Sequence, residues 1–194
     1  MTRAALTVAI LLAAQYQDQE VWYPYYRLRE AGARVVLIGP ERKTYPSKHG
    51  YPATADLAIA EATSGEYDGV IIPGGFAPDF MRREPRMAQF VRDAHQQGKI
   101  IAAICHGPWL LCSADVLRGK TATCFFAIKD DVMNAGATYV DRAVVRDGNL
   151  ITSRTPEDLP VFMVTFLQAL TERAAPAPTR RPAPAASANA RRPS

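Results

Sequence analysis

The chain has 194 residues, is 48% hydrophobic, and carries a formal net charge of +4 with three cysteines. That length suits one domain with a sizeable core, and three cysteines, an odd number, do not suggest a disulfide framework. Arg180, Arg181, Arg191 and Arg192 carry the whole excess charge: without these four of the 23 Lys+Arg, residues 1–173 hold 19 against 19 Asp+Glu. A formally neutral body argues against a nucleic-acid-binding core.

Arg3 and the apolar residues 4–14 have the outline of a short secretory signal. No clear small-x-small cleavage site precedes a new domain start, so residues 4–12 read instead as a first buried strand. An amphipathic helix follows at 20–30, ending at Ala31-Gly32. Residues 34–39 and 67–72 read as strands, the second stopping at Pro73-Gly74-Gly75. Residues 85–97 are helical, and Gly98 ends them.

Residues 100–104 are an Ile-rich run of the kind found in buried parallel strands. A strand at 121–125, a helix at 129–135 capped by Gly136, a hairpin of 143–146 and 150–153 around Asp147-Gly148, and a closing helix at 156–173 complete the body. Alternating strands and helices predict a flavodoxin-like, doubly wound, mostly parallel sheet in a three-layer α/β/α sandwich, with a small antiparallel hairpin. The expected domain is 1–173. Residues 174–194 are Ala/Pro/Arg-rich and are expected to form a solvated, disordered tail. No run reaches membrane-spanning length, so neither membrane nor nucleic acid is expected as a partner. The cysteine usage suits a reducing cytoplasm.

The most informative stretch is Ile100-Ile101-Ala102-Ala103-Ile104-Cys105-His106-Gly107-Pro108. The strand ends abruptly, Gly107 permits a sharp turn, and Pro108 suits the first position of a helix. Cys105 therefore sits at a strand-to-helix elbow beside helix amides. Such a place is expected to expose the sulfur and favour the thiolate. In doubly wound sheets, chemistry gathers at the carboxyl ends of strands, where Cys105, Pro73-Gly74-Gly75 and the segment after Leu12 all fall.

The ordered motifs go further. They are Glu20-x-x-x-Pro24-Tyr25, Lys48-His49-Gly50-Tyr51, Pro73-Gly74-Gly75-Phe76-Ala77-Pro78-Asp79, Ala103-Ile104-Cys105-His106-Gly107-Pro108, Lys129-Asp130-Asp131, Asn134-Ala135-Gly136 and Thr152-Ser153-Arg154-Thr155-Pro156. With them the chain resembles the PfpI (intracellular protease I) family. This family lies in the superfamily of the Parkinson-disease protein deglycase and the class I glutamine amidotransferases. Within it, Asp79 and 152–156 match the general-stress-protein branch.

The resemblance implies Cys105 as nucleophile, His106 as base, Glu20 close to the sulfur, and Asp79 reaching His106 from a neighbouring subunit. A Cys–His–carboxylate set has a clear logic, since the acid fixes the imidazole tautomer. Glu20 in protonated form would donate a hydrogen bond to sulfur. Backbone amides around Gly74, Gly75, His106 and Gly107 are expected to bind substrate or hold a developing oxyanion. Gln17 stands where many relatives carry a second glutamate, and Phe125 where the archaeal protease pattern has a tyrosine. The missing hydroxyl lowers the expectation of peptidase activity.

Cys112 reads as core and Cys124 as a secondary thiol near the site. His49 reads as a loop residue and His95 as a surface helix residue. No zinc spacing, Walker loop or dinucleotide fingerprint is present, so no metal and no cofactor are expected. The resemblance implies a stress-protective enzyme acting on small reactive carbonyls or glycated protein, of the glutathione-independent glyoxalase III or deglycase type. It also implies a homodimer or higher homo-oligomer. An intracellular cysteine peptidase or amide hydrolase, and a non-enzymatic oxidative-stress sensor or chaperone, are the competing readings.

Overall fold

The computed structural model describes residues 6–174. The expected tail lies outside these residues, apart from Ala174, which closes the last helix.

The first strand, β1 (Thr7–Leu11), is followed by α1 (Asp18–Glu30) and β2 (Arg34–Gly39). A small hairpin, β3 (Thr44–Pro46) and β4 (Pro52–Thr54), precedes the short edge strand β5 (Leu57–Ala58). Next come β6 (Gly69–Ile72), α2 (Ala77–Met81), α3 (Pro85–Gln96), β7 (Ile100–Ile104) and α4 (Pro108–Ala114). The chain then forms β8 (Thr121–Ala122), α5 (Lys129–Asn134), β9 (Thr138–Tyr139), β10 (Val144–Asp147), β11 (Leu150–Ser153) and α6 (Leu159–Ala174).

The main sheet has the order β10-β11-β7-β6-β1-β2-β5. Every pairing in it is parallel except β10–β11, which is the expected hairpin. Helices α1 and α6 pack together on one face, and α2 to α5 on the other. The central strands β6 and β7 are buried at every position, as their continuous apolar runs require. In β1, the N-terminal residue Thr7 alone is partly exposed. Its burial between β2 and β6 bears out the strand reading of the N-terminal run.

Several short elements differ from expectation, the strands β5 and β9 among them. The hairpin β3–β4 and the helix α2 lie in stretches too short and too rich in proline to show a period. The strand expected at 121–125 pairs for only two residues, with β9, outside the main sheet. Beyond Ala122 the backbone turns to other partners. The Thr123 N–H donates to Thr152 Oγ1 at 2.9 Å, and the Phe125 N–H donates to the Cys105 carbonyl at 3.0 Å. These bonds draw the segment over the end of β7. The order of strands reverses between β1 and β6, so the crevice above their carboxyl ends is where a ligand site is built.

Candidate active site

Cys105 follows β7 with φ +60°, a left-handed backbone that a non-glycine residue rarely adopts. Its neighbours hold it there. Its N–H donates to the Ser153 carbonyl at 3.1 Å, and its carbonyl accepts from Phe125. Space for the turn comes from glycine. A Cβ on Gly74 would lie 2.7 Å from Cys105 Cβ, and one on Gly107 would lie 2.5 Å from the Ile72 carbonyl oxygen. Gly75, at φ +68°, would meet the Gln15 carbonyl at 2.4 Å. The elbow expected from the sequence is present.

Glu20 enters from the first turn of α1 and is fully buried. One carboxylate oxygen accepts from the Gly74 N–H at 2.6 Å. The other is buried with no hydrogen bond that meets standard geometry. Burial pushes Glu20 up to about 7, opposed by the Gly74 N–H, the Cys105 thiol and the charge of Lys48. His106 Nδ1 lies 3.3 Å from Cys105 Sγ. Burial, then the Lys48 ammonium, lowers the His106 pKa below its ordinary value, so the imidazole is neutral at pH 7. Phe125 stacks on that ring at 4.8 Å, and Trp109 meets it edge-on at 5.1 Å while donating to Asp131.

The sulfur itself departs from expectation. Cys105 is only 8% exposed, and burial together with the Glu20 carboxylate pushes its thiol up to about 12. The N–H groups of Gly75 and His106 pull in the opposite direction and do not prevail. The shift favours the protonated thiol, with Glu20 and neutral His106 beside it. The expectation of an exposed thiolate is corrected: the elbow turns the sulfur into a crevice, not towards bulk water.

Two glycine assignments also change. The Gly74 N–H is committed to Glu20 and the Gly107 N–H to the Ile104 carbonyl at 2.7 Å. Neither is left to hold an oxyanion; both glycines make room for the elbow. The amides of Gly75 and His106 face the sulfur and keep that capacity.

Asp79, on α2, pairs with Arg83, whose guanidinium lies 4.5 Å over the Phe80 ring. Within one chain no hydrogen bond joins Asp79 to His106 among the described residues. Cys124 is fully buried, Cys112 is half-buried, and His95 is half-buried rather than on the surface. His49 binds Asp18 through Nδ1 at 2.7 Å.

Over the sulfur opens a cavity of about 330 Å³, lined by Gln15, Gln17, Lys48, Gly75, Phe76, Cys105, His106, Phe125 and Pro156. The sequence reading assigned no role to Lys48. Its motif was visible, but its place depends on the β3–β4 hairpin. The bridge Tyr16↔Ser47 and the Lys48 N–H bond to the Tyr16 carbonyl, 2.8 Å, bring it back over β1. Among the described residues, no three His, Cys, Asp or Glu side chains gather as a metal-ligating group. No helix among them is long and apolar enough to cross a membrane.

A parallel doubly wound sheet with a cysteine at a nucleophile elbow, an adjacent histidine and a buried glutamate defines a class of cysteine-centred α/β proteins. Residues 6–169 match the model of the DJ-1/PfpI family, and the chain belongs to that family. It is 42% identical over 165 residues to a deglycase of Pyrococcus abyssi, covering 85% of this chain and 99% of that one. It is 44% identical over 158 residues to protein/nucleic acid deglycase 2 of Escherichia coli, covering 80% and 92%. A crystal structure of a two-domain protein from Anabaena variabilis, with DJ-1/ThiJ/PfpI-like and ferritin-like domains, superposes with a TM-score of 0.84 at 47% identity. The match covers 92% of this chain and 52% of that protein, so this chain spans about half its length.

The geometry carries a labelling prediction. Only Cys105 combines access from a cavity with a proton acceptor at its sulfur. Iodoacetamide at pH 7.5 should modify it about ten to a hundred times faster than Cys112 or Cys124. Peptide mass mapping of a time course checks this, and equal rates for the three thiols would overturn the nucleophile assignment.

Proposed function

We propose that this protein is a cysteine-dependent enzyme acting on reactive carbonyls, of the deglycase or glutathione-independent glyoxalase type. The observation that carries the reading is the Cys105 sulfur between Glu20 and His106 Nδ1, beneath the Gly75 and His106 amides, in a cavity of small-ligand size. The relatives named as deglycases support it.

With methylglyoxal, Sγ attacks the aldehyde carbon and its proton passes to Glu20. The carbonyl π bond breaks, and the oxyanion is held by the Gly75 and His106 amides before it is protonated, giving a hemithioacetal. His106 then removes the hydrogen on that carbon as a proton, and an enediol forms. Reprotonation at the neighbouring carbon yields a thioester of lactate, and water releases lactate and the thiol. One carbon is oxidised and its neighbour reduced, so no external redox partner is needed. On a glycated amine, whose former aldehyde carbon is a carbinol, Sγ instead displaces the amine: the S–C bond forms as the C–N bond breaks, the thiol proton leaves with the amine, and the same hemithioacetal results. The reading places Asp79 of a neighbouring subunit against His106, which makes the working unit at least a dimer.

The test sets lactate release from methylglyoxal against cleavage of an unfolded peptide. The purified protein should produce lactate, and Cys105→Ala none. Peptide cleavage without lactate would replace this reading with a peptidase. Protection of cells retained by Cys105→Asp, which mimics an oxidised sulfur but cannot attack a carbonyl, would favour a sensor.

A further inference from the structure

Glu20 lies beneath the floor of the cavity and does not line it. Lys48 is the one lining side chain with a permanent charge. It forms no salt bridge and no side-chain hydrogen bond among the described residues. Yet its backbone is fixed. Its N–H donates to Tyr16, and the preceding Ser47 hydroxyl donates to Asp18 at 2.5 Å. The chain thus holds an unpaired ammonium at the wall of the crevice that contains the nucleophile. Its field reaches the reacting groups, since it lowers the pKa of both Glu20 and His106.

A positive charge so placed works against a base that must receive a proton. Its compensating use is to receive a negative charge brought in by the substrate. Apart from Cys105 and His106, the remaining wall offers only amides, Gly75 and apolar groups: Gln15, Gln17, Phe76, Phe125 and Pro156. No lining carboxylate repels an anion.

We propose that Lys48 selects carbonyl substrates that carry a carboxylate, such as 2-oxoaldehydes with a distal carboxylate. The inference rests on the carbonyl chemistry proposed above and adds the substrate class. Lys48 makes an ion pair with the carboxylate while Sγ adds to the aldehyde carbon. The S–C bond forms, the carbonyl π bond breaks, and the thiol proton ends on the new hydroxyl. Lys48 exchanges no proton in this step; it is a specificity residue.

The test has two arms. In the first, Cys105 is alkylated with iodoacetate, an anion, and with iodoacetamide, its neutral analogue. Their rate ratio, divided by that of free glutathione, isolates the charge effect from any change in thiol acidity. The normalised ratio should fall about three- to tenfold in Lys48→Met, fall further in Lys48→Glu, and be retained in Lys48→Arg. Raising salt should reduce the wild-type ratio towards that of Lys48→Met.

In the second arm, kcat/KM for 4,5-dioxopentanoate relative to methylglyoxal should fall by a similar factor in Lys48→Met, with the change in KM. The Lys48 side chain has no salt bridge or hydrogen bond among the described residues, so unchanged melting temperatures are the control for folding. A normalised alkylation ratio that is the same in wild type, Lys48→Met and Lys48→Glu would overturn the inference. The first arm needs no turnover. If neither aldehyde is converted, the proposed function fails while the alkylation ratio still decides the role of Lys48.

Discussion

Glu20→Gln should lower turnover of methylglyoxal about a thousandfold while making the protein more stable at alkaline pH. The amide keeps the size of the side chain but cannot accept the thiol proton. In the wild type, burial raises the Glu20 carboxyl to about 7, and burial together with the Glu20 charge holds the Cys105 thiol higher still. The reactive form has one proton shared between carboxylate and sulfur. The wild-type kcat/KM should therefore rise with pH through about 7, and in Glu20→Gln that rise should vanish.

Stability moves in the opposite direction. The unfolded carboxyl ionises near 4.5, whereas the folded one holds its proton to about 7. Between those values the folded chain binds more protons, so stability falls as pH rises through that window, by roughly 3 kcal/mol in all. Glu20→Gln escapes that loss, and its melting temperature relative to wild type should climb from pH 5 to pH 8. A variant that keeps its turnover, or gains no relative stability over this range, would remove Glu20 from the proposed mechanism.

Two inactive chains should restore each other. Asp79→Ala should cut turnover about a hundredfold with the Cys105 thiol still able to react, and Cys105→Ala should abolish it. In a hybrid dimer, one of the two sites joins Cys105 and His106 of the first chain to the acid of the second. Mixing equal amounts under subunit exchange should recover about a quarter of wild-type turnover, because half the dimers are hybrid and each has one complete site. The physical basis lies in the single chain. His106 presents Nδ1 to the sulfur, so its other nitrogen is left to be oriented from outside, and among the described residues the Asp79 side chain pairs with Arg83 alone. No recovery on mixing, or full activity in a monomer measured by light scattering, would defeat the shared site.

The sequence by itself determined the alternation of elements, the central strand 100–104 and the elbow after it. Burial of a continuous Ile/Ala run and the turn chemistry of Gly107-Pro108 are local properties that need no partner to be read. Cys105 and Gly75 were legible for the same reason, each following the end of a strand, whereas Glu20, His106 and Asp79 were singled out only by the resemblance of the ordered motifs to the PfpI family. What the sequence could not decide is how these ends face one another. A sulfur beside helix amides reads as a thiolate, but packing puts the fully buried Glu20 beneath it and leaves 8% of Cys105 exposed, so the proton stays on sulfur.

The duties of the glycines were likewise settled by long-range contact, with Gly74 occupied by Glu20, 54 residues away, and Gly107 by its own turn. Lys48 gained its place only when a short hairpin without visible period returned to the end of β1. Periodicity and turn chemistry act between near neighbours in the chain, and therefore show in its order. Desolvation and charge act through space, and only the folded packing sets them.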